Sequence, residues 1–541
     1  MTRTERLRRL GAAPFDLCVV GGGITGAGVA RDAAMRGLSV ALLEADDYAA
    51  GTSSRSSRLI HGGVRYLEHG HLGLVFEASR ERRTLLRIAP HLVRPLAFTW
   101  PVYRGARIQL WTLEAGLALY DALALFRNVG NHKRLSTRDV REREPALRSD
   151  GLVGGARYWD AATNDTRLTL ANILAAEEHG AVCVNHCAVV ARGDDADGYV
   201  RVTAHDGLRD TPVHVRARLV INAAGPWSDA VSTALGATRG AGVLGSKGVH
   251  ITVPADTVAH RGALTLLAPH DGRVFFVLPA GAFTIIGTTE TPTETRPDQV
   301  RANEADVHYL IDATRHFFPD STLTRDAVIA AWAGVRPLAA QHVQGDAASA
   351  SREHTIARTA PGMLSVTGGK LTTYRAMAAD VVEHALTALG RRAAAAPTAT
   401  TPLPGGDVEE LAVAIARAVH AGHAPAVAER LVYSYGSGWV RLDHLVRDDD
   451  ALGDEIEPGL PYLMAEVVYA ARHEHAMTLA DVLVRRTHVA FETRDHGRGA
   501  AARIAPLLAH ELGWDAARSA QALDDYDREA SRLFGIDPAP A

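Results

Sequence analysis

The chain has 541 residues, of which 58 are basic and 62 acidic, giving a formal net charge of -4 with 47% hydrophobic and 22% charged residues. That length exceeds a single ordinary core and predicts roughly two to four domains, while the composition excludes a disordered chain. No long basic block tracks along the sequence, which argues against nucleic acid as a partner. Cys18, Cys183 and Cys187 are too few and too oddly spaced for a disulfide framework or a zinc site. No metal is expected, and the thiols read as small buried hydrophobes in a reducing compartment.

Residues 1–14 read as a polar N-terminal leader. Arg8-Arg9 resembles a twin-arginine export signal, but Asp16 and the glycine run interrupt the apolar stretch that such a signal needs. No run of about 18 uncharged apolar residues follows anywhere, so no membrane-spanning helix is predicted.

The apolar strand at 17–20 runs into Gly21-Gly22-Gly23-Ile24-Thr25-Gly26-Ala27-Gly28 and then a helix, and the next strand, 38–43, ends at Glu44. This is the layout of a dinucleotide-binding βαβ unit. Gly21 permits the tight turn, Gly23 lets backbone amides approach a diphosphate, and Gly26 lets helix and strand pack closely. The helix N-terminus offers N–H donors and a positive dipole end. Glu44, 18 residues past Gly26, is placed to accept from an adenosine ribose, so FAD or NAD is expected and NADP is not.

The loop after Glu44 contains Thr52-Ser53-Ser54-Arg55-Ser56-Ser57-Arg58-Leu59-Ile60-His61-Gly62-Gly63-Val64-Arg65-Tyr66-Leu67-Glu68. Its hydroxyls and amides suit diphosphate and ribityl oxygens, and Gly62-Gly63 suits close approach to a flat ring. Helices are predicted at 77–89, 108–126 and 168–180, and strands at 181–191, 199–204 and 213–222. The last strand ends in Asn222-Ala223-Ala224-Gly225-Pro226-Trp227. Further strands at 249–253, 273–278 and 282–286 predict a second sheet, and the chain returns to the first near Met363. There Gly368-Gly369-Lys370-Leu371-Thr372-Thr373-Tyr374 closes a strand and opens a helix from about Leu371, whose N-terminus could stabilise a flavin anion. The fold class is therefore α/β. A Rossmann-like FAD-binding domain at 15–392 carries inserted antiparallel-sheet substrate regions at about 85–165 and 245–350. A linker at 393–406 and an all-helical C-terminal domain at 407–541 follow.

The segment from Thr52 to Glu68, with Asn222 to Trp227, Gly287-Thr288-Thr289, Gly334-Val335-Arg336-Pro337 and Gly368 to Tyr374, resembles the FAD-dependent glycerol-3-phosphate dehydrogenases. These are a branch of the D-amino-acid-oxidase-like flavoproteins. The resemblance covers about residues 15–380 in order, and the helical tail is similar to that family's C-terminal domain. It implies oxidation of sn-glycerol 3-phosphate to dihydroxyacetone phosphate, with electrons leaving FAD for a quinone.

On that resemblance the cofactor is held by Gly21, Gly23, Ile24, Thr25, Gly26 and Glu44; by Thr52, Ser53, Ser54, Ser57, Leu59, His61, Gly62 and Gly63; by Ala224, Gly225, Trp227 and Gly334; and by Gly369, Lys370, Leu371 and Thr372. Arg336, Arg352 and Lys370 match basic positions of the family's pocket, and with Arg65 they suit a phosphomonoester dianion. Tyr66 is placed to bond substrate or flavin. His61 and His250 are both candidates for the base that takes the hydroxyl proton, since imidazole titrates near neutrality. Arg65 or Lys370 could instead lower the hydroxyl's pKa and leave the proton to water.

Arg104 to Tyr120 combines a basic start with Trp, Tyr and Leu, the composition of a helix lying on a bilayer or of a buried one. The family's corresponding region is a proposed membrane-facing one. The expectation is a cytoplasmic protein held peripherally on the inner face of the cell membrane, with homodimerisation left open. Three other readings compete: an oxidase that passes electrons to oxygen and makes peroxide, a non-catalytic FAD-binding sensor, and an amine oxidase of the sarcosine-oxidase type. The basic set around Arg336 and Lys370 weighs against the last two.

Overall fold

The computed structural model describes residues 1–64, 67, 71–125, 128–195, 197–237, 240, 242–339, 353–392 and 395–539. Its first sheet has eight strands. The main path runs His354–Ala360, Met363–Gly368, Thr211–Asn222, Phe15–Val20, Val40–Leu43 and Val182–Val184. The four central pairings, from Met363–Gly368 to Val182–Val184, are parallel. Phe15–Val20 is buried at every position: Leu17 and Val19 pack against helices, and Cys18 and Val20 against the antiparallel strands around Val200–Asp206, which leaves no solvent side for alternation to mark. The helix Ile24–Met35 packs on the sheet and against the helices Asp165–Glu178 and Tyr374–Ala388, with Ala27, Ala30 and Ala33 fully buried.

The second sheet has ten strands and draws on Val93–Tyr103 and Leu152–Thr163 as well as Val243–Pro254, Ala263–Leu267, Val274–Ala280, Phe283–Gly287 and Ala330–Ala339. The two-residue strand Leu59–Ile60 pairs with its edge, so the loop after Glu44 crosses from the first sheet to the second. The cofactor loop thus joins both layers.

Several elements differ from the sequence expectation. Residues 1–14 contain a helix, Arg3–Ala12, started by a Thr2–Glu5 capping box; its Arg3 donates to Asp206 at 2.7 Å and its Arg6 pairs with Glu177 at 3.0 Å. The strand expected at 181–191 is two, Val182–Val184 and Cys187–Asp194, because His186 takes a left-handed φ of 49° between them. The helix expected at 108–126 spans Leu110–Leu123, and the one expected from Leu371 begins at Tyr374, after a turn.

Residues beyond 406 are mostly helical, ending in Arg498–Leu512 and Ala516–Phe534. Buried ion pairs dock them on the loop after Glu44 and on the helix Asp165–Glu178. Asp47 accepts from Arg485 Nε at 2.8 Å and from Arg486 Nη1 and Nη2 at 2.6 and 2.9 Å, and Arg167 Nη1 donates to Glu474 at 3.1 Å. The chain end Ile536–Asp537 then pairs in parallel with Ala302–Asn303.

Candidate active site

The carboxyl ends of the parallel strands open into a cavity of about 870 Å³ that continues across to the second sheet. In open α/β sheets this is where ligands bind. Gly21, with φ of 110°, lies against the backbone of Ala223 and Ala224, so a Cβ there would collide with main chain. A Cβ on Gly26 would overlap the carbonyl oxygen of Gly21. The turn therefore requires glycine at both positions. Ser53 Oγ accepts from Ile24 N at 2.9 Å, tying the loop to the helix N-terminus.

Glu44 accepts from Gly22 N at 2.5 Å and from Asp46 N at 2.9 Å. Burial, with the nearby Asp46 and Asp47, pushes its carboxyl up to about 7 against the two backbone bonds. Such a carboxyl is relieved by hydroxyl donors from the cavity side, which an adenosine ribose supplies. Ala223, Ala224, Trp227, Ala230, Val231 and Ala234 line this end with small and flat surfaces. Thr372 Oγ1 accepts from His61 N and donates to His61 O, each at 3.1 Å, and so holds the loop against the Gly368–Lys370 turn.

At the opposite end, Arg336 projects from Ala330–Ala339 and donates to Thr288 Oγ1 at 3.0 Å and Thr289 O at 3.4 Å. His250, on the neighbouring strand, stacks on Trp332 at 5.5 Å, and its Nε2 lies 2.9 Å from Ser57 Oγ. Burial above all, then Arg336 and Arg58, pushes His250 down to about 3, so the ring is neutral. Arg336, His250, Gly248, Phe276, His61 and Lys370 line the same cavity as the glycine turn.

Most of the expected site residues thus converge. Gly21, Gly23, Ile24, Thr25, Glu44, Thr52, Ser53, Ser57, Leu59, His61, Ala224, Gly225, Trp227, Gly334, Gly369, Lys370, Leu371 and Thr372 line the cavity, as do His250 and Arg336. Gly26, Ser54, Gly62 and Gly63 are not in the lining. Gly26 acts through packing, Ser54 Oγ turns back to Gly51 O at 3.3 Å, and Gly62 donates from its N to Asp160 with Tyr120 against its Cα. A Cβ on Gly62 would meet Tyr120, so a protein contact by itself calls for glycine there. Arg65, Tyr66 and Arg352 lie outside the described residues.

Residues that sequence reasoning passed over include Val189, Ala230, Val231, Asp298, Glu529 and Arg532. None sits in a glycine turn or a basic motif, so no local signal marks them. Asp47, His186 and Asp481 also bring donor atoms within 4.8 Å of one another. Arg485 and Arg486 occupy the Asp47 carboxylate and His186 pairs with Asp481 at 2.9 Å, so this cluster serves domain docking.

A glycine turn, an acid closing the second parallel strand and a cavity shared with an antiparallel sheet are the features of a dinucleotide-binding α/β protein. The family described as "FAD dependent oxidoreductase" matches residues 16–375, and the "C-terminal domain of alpha-glycerophosphate oxidase" matches residues 396–519. Glycerol-3-phosphate dehydrogenase of Synechocystis sp. is 37% identical over 92% of this chain and 93% of its own length. Glycerol-3-phosphate dehydrogenase 2 of Mycobacterium tuberculosis is 37% identical over 98% and 89%. The crystal structure of glycerol-3-phosphate dehydrogenase from Bacillus halodurans complexed with FAD superposes with a TM-score of 0.82, at 29% identity, over 98% of this chain and 97% of that one. The chain belongs to the glycerol-3-phosphate dehydrogenase family of FAD-dependent oxidoreductases. FAD is its cofactor, and the cradle from Gly21 to Glu44 fits the dinucleotide.

Proposed function

We propose that this protein oxidises sn-glycerol 3-phosphate to dihydroxyacetone phosphate and passes the electrons to a quinone. The observation that carries this is a guanidinium, Arg336, an ammonium, Lys370, and a neutral imidazole, His250, lining one cavity with the FAD cradle. A phosphomonoester dianion needs converging cations, and Arg336 is pre-oriented by Thr288 and Thr289. Arg65, Tyr66 and Arg352 belong to the same proposed substrate set.

FAD, when bound, supplies the acceptor for the hydride leaving the substrate's secondary carbon. The protein's part is to place that carbon and take the hydroxyl proton. The proton passes to Ser57 Oγ, which lines the cavity, as Ser57 gives its own to His250 Nε2, 2.9 Å away. Arg336 is among the charges that keep His250 from protonating. A phosphate dianion on Arg336 cancels that part of the depression, while burial, the larger part, stays. His61 borders the cavity on the loop side, and Lys370 beside the hydroxyl favours its ionised form.

For the acceptor, the supporting feature lies outside the cavity. Trp111 (68% exposed) and Leu119 on Leu110–Leu123, with Leu72 and Phe76 on the helix packed beside it, are exposed apolar side chains. No helix among the described residues is long and apolar enough to cross a membrane. We read these apolar side chains as a peripheral contact with the inner face of the cell membrane, where a quinone is dissolved. The test is reoxidation of the substrate-reduced enzyme by a soluble quinone and by oxygen in parallel. Faster reoxidation by the quinone is expected; preferential peroxide formation would make the protein an oxidase.

A further inference from the structure

The final helix, Ala516–Phe534, runs beyond residue 519, where the second family match ends. Its far half is not a free tail. Phe534 packs edge-on against Phe491 at 5.0 Å, and Ile536–Asp537 adds a strand beside Ala302–Asn303. These contacts fix the last turns of the helix against Ala330–Ala339, the strand that carries Arg336. Two side chains of that fixed stretch, Glu529 and Arg532, belong to the cavity lining.

Their position along the cavity follows from neighbouring contacts. Glu529 Oε1 lies 3.8 Å from Arg485 Nη1, and Asp46 Oδ1 lies 3.9 Å from Nη2 of the same guanidinium. Asp46 stands two residues beyond Glu44, on the ribose side of the cavity. Arg532 grips Glu529 through two bonds of 2.7 and 2.6 Å and donates to Asp298 O at 3.3 Å across the cavity lip. Arg55, the other arginine at that lip, spends its terminal nitrogens on Ala50 O and Ala333 O, at 3.0 and 3.4 Å. The Arg532 side chain keeps 33% exposure, the Glu529 side chain 19%.

We propose that the C-terminal helical domain is a cofactor-retention element: Arg532, steered by Glu529, is a binding residue for the ADP half of FAD. The ligand chemistry is that of a dinucleotide diphosphate: Glu529 holds the Nε and Nη2 edge and Asp298 O one Nη1 hydrogen, which leaves one hydrogen on each terminal nitrogen of Arg532 for a diphosphate oxygen. The same domain holds the loop after Glu44 through Asp47, Arg485 and Arg486, so loop and lip are set by one body. This depends on FAD binding and not on the identity of the oxidised substrate.

The experiment uses the full-length protein stripped of FAD. FAD is titrated back by fluorescence, ADP is used as competitor, and thermal melting is recorded without cofactor, for wild type, Arg532→Gln and Glu529→Gln. Arg532→Gln is expected to raise the Kd of FAD and the inhibition constant of ADP together, by about tenfold, the cost of one lost charge-assisted contact. Glu529→Gln is expected to raise both by less, and neither variant to melt earlier. Unchanged affinities in both variants would overturn the proposal. So would a rise for FAD without one for ADP, or a loss of FAD affinity accounted for by an earlier melt.

Discussion

Replacing Arg336 by alanine isolates the phosphate-binding role. The guanidinium lines the cavity with its fork held by Thr288 and Thr289, so a dianion meets it without a rotamer search. A charge-assisted bond contributes about 1.5–3 kcal/mol, and a bidentate pair about twice that. Lys370 remains in the variant and water enters the space left behind, which reduces the loss to about 2–4 kcal/mol. In kcat/KM for glycerol 3-phosphate this is roughly 30- to 1000-fold. Glycerol lacks the phosphate and is expected to lose no more than about threefold, the experimental margin for a contact it never made. The assay is steady-state turnover on both alcohols with an artificial acceptor, at matched flavin content. Added guanidinium is expected to restore part of the rate on the phosphorylated substrate alone. Equal losses on both alcohols would refute the phosphate role.

Gly26→Ala places a Cβ on the carbonyl oxygen of Gly21, so the purified variant is expected to lack the flavin absorbance of the wild type; a fully yellow variant would contradict the turn's role. Glu44 gives a pH signature in the FAD-free protein. Its folded carboxyl, near 7 against an ordinary 4.5, makes the folded state hold a proton that the unfolded state has released, so stability falls as pH rises from about 4.5 to 7 and is level above. That interval is worth about 3 kcal/mol, and water in the open cavity screens it to about 1–2 kcal/mol. Glu44→Gln is expected to flatten this part of the melting-temperature profile, and an unchanged slope would disprove it. Trp111→Glu is expected to reduce cosedimentation with anionic vesicles several-fold without changing turnover in solution; equal cosedimentation would remove the membrane surface.

The first βαβ unit was readable because its demands are local: glycines where a Cβ meets main chain, then an acid at a strand end. The Gly368-Gly369-Lys370 turn and Arg336 were readable for the same reason, each lying in a short string that fixes backbone and side chain together. The long strands Val93–Tyr103 and Leu152–Thr163 were not. The first carries Pro95 and Pro101, and the second Gly154-Gly155, residues that ordinarily interrupt a strand pattern. Burial confined to one stretch of Val93–Tyr103 also gives no alternation for a period-two reading to find. Gly62 was legible as a required glycine but not as one required by Tyr120, because that partner lies 58 positions away in sequence. Glu529 and Arg532 are the extreme case. On a helix rich in charge they look like a solvated face, and only the docking of Phe534 and Ile536–Asp537 turns them toward the cavity.

The central claim is that glycerol 3-phosphate delivers a hydride to FAD in the cavity between Glu44 and Arg336. Its most direct measurement is anaerobic mixing of the purified holoenzyme with sn-glycerol 3-phosphate, following the flavin absorbance and the dihydroxyacetone phosphate formed. Complete bleaching with one ketone per flavin is expected, and Arg336→Ala should bleach far more slowly at the same substrate concentration. A flavin that stays oxidised with the phosphate ester present would contradict the account.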